Sequence, residues 1–299
     1  MRFWSIDGFV DEEFETGPCL IEPFFPSKGI GLLHGRQTSG KTQLALTLAR
    51  AVATGEPFLG KFPCYQGPVL YFQVDMPEAL LQDRFRVHPE AWRGLPLTIF
   101  CNNNRINILN PKTDVCKALE IANAMSPVLC IVDSLRKTHQ MEENSSDTPT
   151  KVYGAWKDHL PDSAFLFLHH ETKLQSDGPP KAPEDRARGS TAWLDDADFG
   201  MSITRTAKHE GNGHTANLVW TKQRAGAQSR VPQMNVKLDD DTLLVVPAEE
   251  TTARQHGEIF LSTCGGDADR DEFHKYVMEK TGCKVEHARR IWRKLRSEN

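Results

Sequence analysis

The chain has 299 residues, 39% hydrophobic and 25% charged, with a formal net charge of −4. That length allows one large α/β domain plus a small one, and the longest apolar run is far short of the ~20 residues that span a bilayer. A net negative chain carries no general basic coat for nucleic acid, and seven cysteines with no Cys-x-x-Cys pair read as the reduced thiols of a cytoplasmic protein, not a disulfide frame or zinc site.

Residues 1–27 are aromatic and acidic, carry no apolar signal segment, and are broken by Pro18, Pro23 and Pro26. They read as an arm packed on something such as a neighbouring subunit, or as a solvated tail. From 28 to 250, continuous apolar runs alternate with helical patterns. The runs 31–34, 69–74, 128–132 and 164–168 predict buried strands. Apolar residues at a period of 3.6 predict helices over 44–52 and 115–124. This alternation predicts an α/β core with a central, mostly parallel, doubly wound sheet. Two polar stretches, 138–149 and 174–190, interrupt it, and stretches of that length inside a domain are functional or disordered. The core ends in an antiparallel pair, 201–206 and 217–221, around a turn at 210–213.

Residues 253–299 form a separate module of three short predicted helices, about 254–263, 270–280 and 284–297. The last spaces Val285, Ala288, Ile291 and Leu295 on one face and carries Lys284, Arg289, Arg290, Arg293, Lys294 and Arg296 on the others. A helix, a Gly-containing turn and a basic helix read as a helix-turn-helix or winged-helix-like module, with Arg289, Arg290 and Arg293 on DNA phosphates. The alternative is a solvated helical cap.

The strongest chemical signal is Gly35-Arg36-Gln37-Thr38-Ser39-Gly40-Lys41-Thr42, between a predicted strand and a predicted helix. It satisfies the P-loop pattern at every specified position. The glycines let backbone N–H groups converge on a phosphate at a helix N-terminus, where the dipole favours anions. Gly35, Thr38, Ser39, Gly40 and Lys41 would cradle the phosphates of ATP, and the Thr42 hydroxyl would ligate Mg²⁺. Asp133, ending the apolar run 128–132, supplies the second carboxylate for that Mg²⁺ or is an ordinary helix cap.

Further motifs carry a family resemblance. Val69-Leu70-Tyr71-Phe72-Gln73-Val74-Asp75-Met76-Pro77 resembles the strand after the P-loop helix in RecA-type hexameric helicases, where an acidic residue precedes Met-Pro in DnaB-type enzymes. Lys222-Gln223-Arg224 resembles the Lys-x-Arg segment that those proteins insert into the neighbouring ATP site. Arg188-Gly189-Ser190-Thr191-Ala192 resembles the stretch after their second DNA-facing loop. Phe167-Leu168-His169-His170-Glu171-Thr172-Lys173 resembles the plasmid RepA branch, where a histidine ends the γ-phosphate sensor strand.

The resemblance implies a RecA-like P-loop NTPase fold over about residues 28–235. Asp75 would polarise the attacking water, His169 or His170 would sense the γ-phosphate, and Lys222 and Arg224 would act in trans. Lys173, Lys181, Arg186 and Arg188 would meet DNA from the second loop. The implied protein is an ATP-hydrolysing, ring-forming homo-oligomer, a hexamer, on single-stranded DNA. It would be a RepA-like replicative helicase of a phage or plasmid, with replication or recombination proteins as partners and no membrane. A RecA-type recombinase or mediator, or a nucleotide-gated DNA clamp with weak hydrolysis, are the alternatives. Three features depart from the family pattern: Asp75 is one methylene shorter than the family glutamate, the first loop is acidic (Glu142, Glu143, Asp147), and no collar-like domain precedes the core.

Overall fold

The computed structural model describes residues 3–12, 19–102, 104–110, 114–171, 182–187, 189–205, 215–224, 231, 233–239, 241–248, 260–261, 269–281 and 283–298. The chain divides into two units, Met1–Ala248 and Glu249–Asn299.

The first unit is built on a nine-stranded sheet. Its centre is β3 (Ile30–Gly35), flanked by β7 (Ala164–His170) and β8 (Phe199–Arg205). Beyond β7 come β6 (Leu129–Asp133), β4 (Val69–Gln73) and β5 (Leu97–Cys101), and all six of these strands are parallel. Beyond β8 the sheet turns antiparallel through β9 (Thr215–Gln223), β10 (Met234–Leu238) and β11 (Val245–Pro247).

Strand alternation sends the two faces to different cores. Leu33, Tyr71, Ile131, Leu166 and Leu168 pack with the P-loop helix α2 (Lys41–Thr54). Leu32, Phe72, Val132, Phe165 and Phe167 pack with Trp156 of a helix on the other face, Asp147–His159. The buried Trp156 ring meets Phe72 edge-on at 5.0 Å. Fully burying each such side chain contributes roughly 1.5–3 kcal/mol, so strands covered on both faces read as unbroken apolar runs.

The predicted strands are present within two residues at each end. β5, β10 and β11 lie beyond the prediction. β5 is an edge strand without a fully buried residue, and β10 shows only a short in–out alternation. Near the N-terminus the expected boundary at Lys28 moves. A hairpin of β1 (Cys19–Ile21) and β2 (Phe25–Pro26) buries Leu20, Ile21, Phe24 and Phe25 in the α2-side core. Phe25 lies 4.3 Å from Phe199 and Phe24 lies 5.5 Å from Trp220, ring to ring. The arm is thus confined to residues before this hairpin, including the short exposed helix α1 (Ile6–Asp11). The polar stretch 138–149 is also shorter than predicted, because the Asp147–His159 helix takes Pro149 into its first turn, where proline has no intrahelical bond to lose. The predicted turn at 210–213 lies outside the described residues.

In the second unit, helices Arg270–Thr281 and Val285–Glu298 pack through Phe273, Val277, Ala288, Ile291 and Leu295. Asp269 caps the first of them by accepting from the amides of Asp271 and Glu272 at 2.8 and 2.9 Å. Arg289, Arg290 and Arg293 are exposed. Of the predicted helix 254–263, only Phe260 and Leu261 are described, both helical and packed against this cluster. No described helix is long and apolar enough to cross a membrane.

Candidate nucleotide site

The P-loop leaves the C-terminal end of β3 and enters α2 at Lys41. Gly35 has no room for a side chain: a Cβ there would lie 2.6 Å from both the Ile203 carbonyl oxygen and Ser39 Oγ. Gly40, which caps α2, has φ 99°, a region that glycine enters without steric cost. Lys41 is almost fully buried, and its Nζ donates to the carbonyls of Gly35 at 2.9 Å and Arg36 at 2.8 Å. Burial pushes its pKa down, and the carboxylates of Asp133, Glu171 and Asp75 act in the opposite direction. Ser39 Oγ is buried without a hydrogen-bond partner, leaving a hydroxyl free for a ligand oxygen.

Asp133 ends β6 beside Gln73 in the parallel register. Its Oδ2 accepts from Thr42 Oγ1 at 2.8 Å and from the Tyr71 hydroxyl at 3.0 Å. Burial raises the Asp133 pKa, partly offset by the bonds from Thr42 and Tyr71. Burial and the Asp133 charge keep Tyr71 protonated, hence a steady donor. The Thr42 hydroxyl and Asp133 carboxylate together form a hard oxygen pair of the kind Mg²⁺ prefers. Gln73 shapes the next turn, its Oε1 accepting from the amides of Asp75 at 2.6 Å and Met76 at 3.2 Å. The Asp75 carboxylate lies 3.3 Å from Lys137 Nζ, which also donates to the Asp75 carbonyl at 3.1 Å.

One cavity of about 460 Å³ gathers Thr38, Ser39, Gly40, Lys41 and Thr42 with Asp75, Asp133 and His170. The two candidate histidines separate. Adjacent on β7, they face opposite sides of the sheet: His170 lines this cavity, whereas His169 is buried on the other face with its ring 5.7 Å from Trp193. Arg84, absent from the motif reading, also lines the cavity, and its Nη1 is buried without a hydrogen-bond partner. It sits on α3 (Glu78–Arg86) three residues after the buried Leu81, so a charge at a core-spaced position was its only sequence signal.

Lys222 and Arg224 lie elsewhere. The Arg224 amide donates to Asp198, whose own amide donates to Ile30, at the start of β3. The phosphate loop leaves the other end of that strand, roughly 16 Å away at ~3.3 Å per residue. Lys222 Nζ donates to the carbonyls of Leu194, at 2.9 Å, and Asp195. Arg224 donates to the Asp195 carbonyl at 2.9 Å and pairs with Asp198 at 3.3 Å. Burial lowers the Lys222 pKa, and Arg224 lowers it further.

Among the second-loop cations, Arg186 is half-buried and donates to Thr204 Oγ1 at 3.4 Å. Lys173, Lys181 and Arg188 lie outside the described residues. The acidic first loop is partly accounted for: Glu143 pairs with Arg136 at 3.2 Å, and its carbonyl accepts from the Ser190 amide at 2.9 Å. Arg136 balances that carboxylate within the protein, and the backbone carbonyl of Glu143, through Ser190, joins the two loops.

Residues 2–176 match the family model described as an AAA domain. The chain belongs to that family. This AAA-domain protein is an ATPase with a RecA-like fold. Among solved structures it is similar to the ATPase domain of G40P, with a TM-score of 0.55 and 14% identity over 75% of this chain and 86% of that one. It is also similar to a DnaB-like replicative helicase, described together with its interactions with primase. That comparison has a TM-score of 0.58 and 13% identity over 81% of this chain and 66% of the other.

Proposed function

We propose that this ATPase is a ring-forming, RepA-like replicative helicase that couples ATP hydrolysis to movement along single-stranded DNA. It would work in the cytoplasm of a phage or plasmid host, as a hexamer, alongside replication or recombination proteins. The observation that carries the proposal is the separation of Lys222 and Arg224 from the phosphate loop of their own chain. The Arg224 side chain is 56% exposed, which supports a role for it at a neighbouring copy's nucleotide. The Arg224–Asp198 pair is a weak obstacle, because exposed ion pairs contribute only about 0–1 kcal/mol.

In this reading Lys41 and the loop amides hold the phosphates. Thr42 and Asp133 hold Mg²⁺, which when bound neutralises phosphate charge. Asp75 takes the proton of the attacking water, and His170 reports phosphate occupancy to the loop that follows it. Lys222 and Arg224 of the neighbour neutralise charge developing on the transferred phosphoryl group. Lys173, Lys181, Arg186 and Arg188, with Arg289, Arg290 and Arg293 of the helical unit, meet DNA phosphates.

One observation favours a second reading, a nucleotide-gated DNA clamp with slow turnover. Asp75 has a short side chain, and Lys137 holds it at both its carboxylate and its carbonyl. Steady-state ATPase with and without single-stranded DNA, beside a sizing run, tests the proposal. A hexamer whose turnover rises with DNA is expected, and a monomer whose rate ignores DNA contradicts it.

A further inference from the structure

On the sheet face opposite α2, four polar side chains sit among apolar ones. His34 occupies the last position of β3 before Gly35 and is fully buried. Its Nδ1 lies 3.0 Å from Glu171 Oε1, and Ser202 Oγ donates to the same oxygen at 3.0 Å. Its Nε2 lies 3.3 Å from Thr221 Oγ1. The roles of the ring nitrogens follow from chemistry. Burial alone would raise the Glu171 pKa, but the bonds from His34 and Ser202 bring it below the usual carboxylate range, so Glu171 is an acceptor. Nδ1 therefore carries a proton, which leaves Nε2 to bond the Thr221 hydroxyl.

Each end of this chain of bonds touches a segment with a proposed role. The Glu171 amide donates to the Gly35 carbonyl at 3.2 Å, and the preceding His170 lines the nucleotide cavity. Thr221 immediately precedes Lys222, at a bulge where the β8–β9 register slips between Gly200 and Met201. Bulges re-aim side chains, and Gly200 makes this one possible: a Cβ there would lie 2.6 Å from Thr221 Oγ1 and 2.3 Å from Leu194 Cδ1. A buried polar cluster costs stability that apolar residues would not. Placement of the cluster between the phosphate loop and the Lys222–Arg224 segment gives that cost a use.

We propose that His34 and Thr221 are positioning residues, a relay that ties the Lys222–Arg224 segment to the phosphate-loop strand and Glu171 of the same chain, so that each subunit's own nucleotide site sets the cations it presents to its neighbour. This rests on the trans role proposed above for Lys222 and Arg224.

Thr221→Val keeps the branched shape and removes the hydroxyl, and Thr221→Ser keeps the hydroxyl. In the assembled protein, Thr221→Val should lower kcat about tenfold, the kinetic equivalent of one hydrogen bond. Affinity for a fluorescent ATP analogue and oligomer size should be unchanged. The melting temperature should fall by only a few degrees because buried His34 Nε2 loses its partner, and Thr221→Ser should recover both rate and stability. On a Lys222→Ala/Arg224→Ala background, Thr221→Val should cost nothing further, because the relay acts only through that segment. A fully active Thr221→Val, or a loss that multiplies with that of the Lys222→Ala/Arg224→Ala pair, overturns the relay. Wild-type activity in Arg224→Ala alone overturns the trans role first, and the relay with it.

Discussion

Asp75 meets the cavity with a side chain one methylene shorter than glutamate, and Lys137 holds its carboxylate at 3.3 Å. General-base action depends on reach before basicity. Asp75→Asn should therefore cut steady hydrolysis by about 10²-fold or more, the low end of general-base contributions, while Asp75→Glu should keep or raise the rate. Initial rates at saturating ATP check both, and normal turnover in the asparagine variant would move the base elsewhere. Glu171 is a poor substitute, because its carboxylate is engaged by His34 and Ser202 on the opposite face of the sheet. At this scale the sequence is legible where chemistry demands fixed spacing. Gly35, Lys41 and Thr42 follow a local pattern, and Asp133 ends a strand that the pattern marks. Tyr71 and His34 are not legible, because their roles arise from register: Tyr71 reaches Asp133 from the neighbouring strand, and His34 reaches Thr221 across β8. His169 and His170 were indistinguishable until strand alternation assigned them opposite faces.

Elements buried on both faces announced themselves, and elements with one partner did not. β3, β4, β6 and β7 are apolar up to their C-terminal ends, where His34, Gln73, Asp133, His169 and His170 stand, because α2 and the Asp147–His159 helix cover them. β5 sits at an edge, and the β1–β2 hairpin is bounded by prolines that read as breakers until Phe24 and Phe25 are seen filling the core. The Val285–Glu298 helix was legible because its apolar face is spaced at helical period. Ala288, Ile291 and Leu295 hold it to its neighbour, while Arg289, Arg290 and Arg293 remain exposed. Replacing those three arginines by alanine should leave the unit folded and weaken DNA binding. Each lost contact with a single strand flattens the log–log salt dependence by about 0.7, so three should remove about 2. A salt titration of DNA affinity reads this directly, and an unchanged slope would assign the helix to protein contact.

At the scale of the whole molecule, Arg224 sits level with the start of β3 and Lys222 level with Leu32, whereas the phosphate loop leaves the strand's other end, so under the proposed function these cations would serve the site of the next copy. In the proposed head-to-tail ring, every site would be completed by cations from the next copy. Arg224→Ala should then bind ATP yet hydrolyse it at least ~10³-fold more slowly, the scale of arginine-finger losses. Lys41→Ala should fail to bind ATP at all, because it removes the buried ammonium of the phosphate loop. The most direct test is to mix the two inactive proteins and measure ATPase. In a random equal mixture about one interface in four joins an intact phosphate loop to an intact Arg224, so activity should reappear well above the sum of the separate proteins. A mixture no more active than its components, under conditions where sizing shows that subunits exchange, would contradict a shared site.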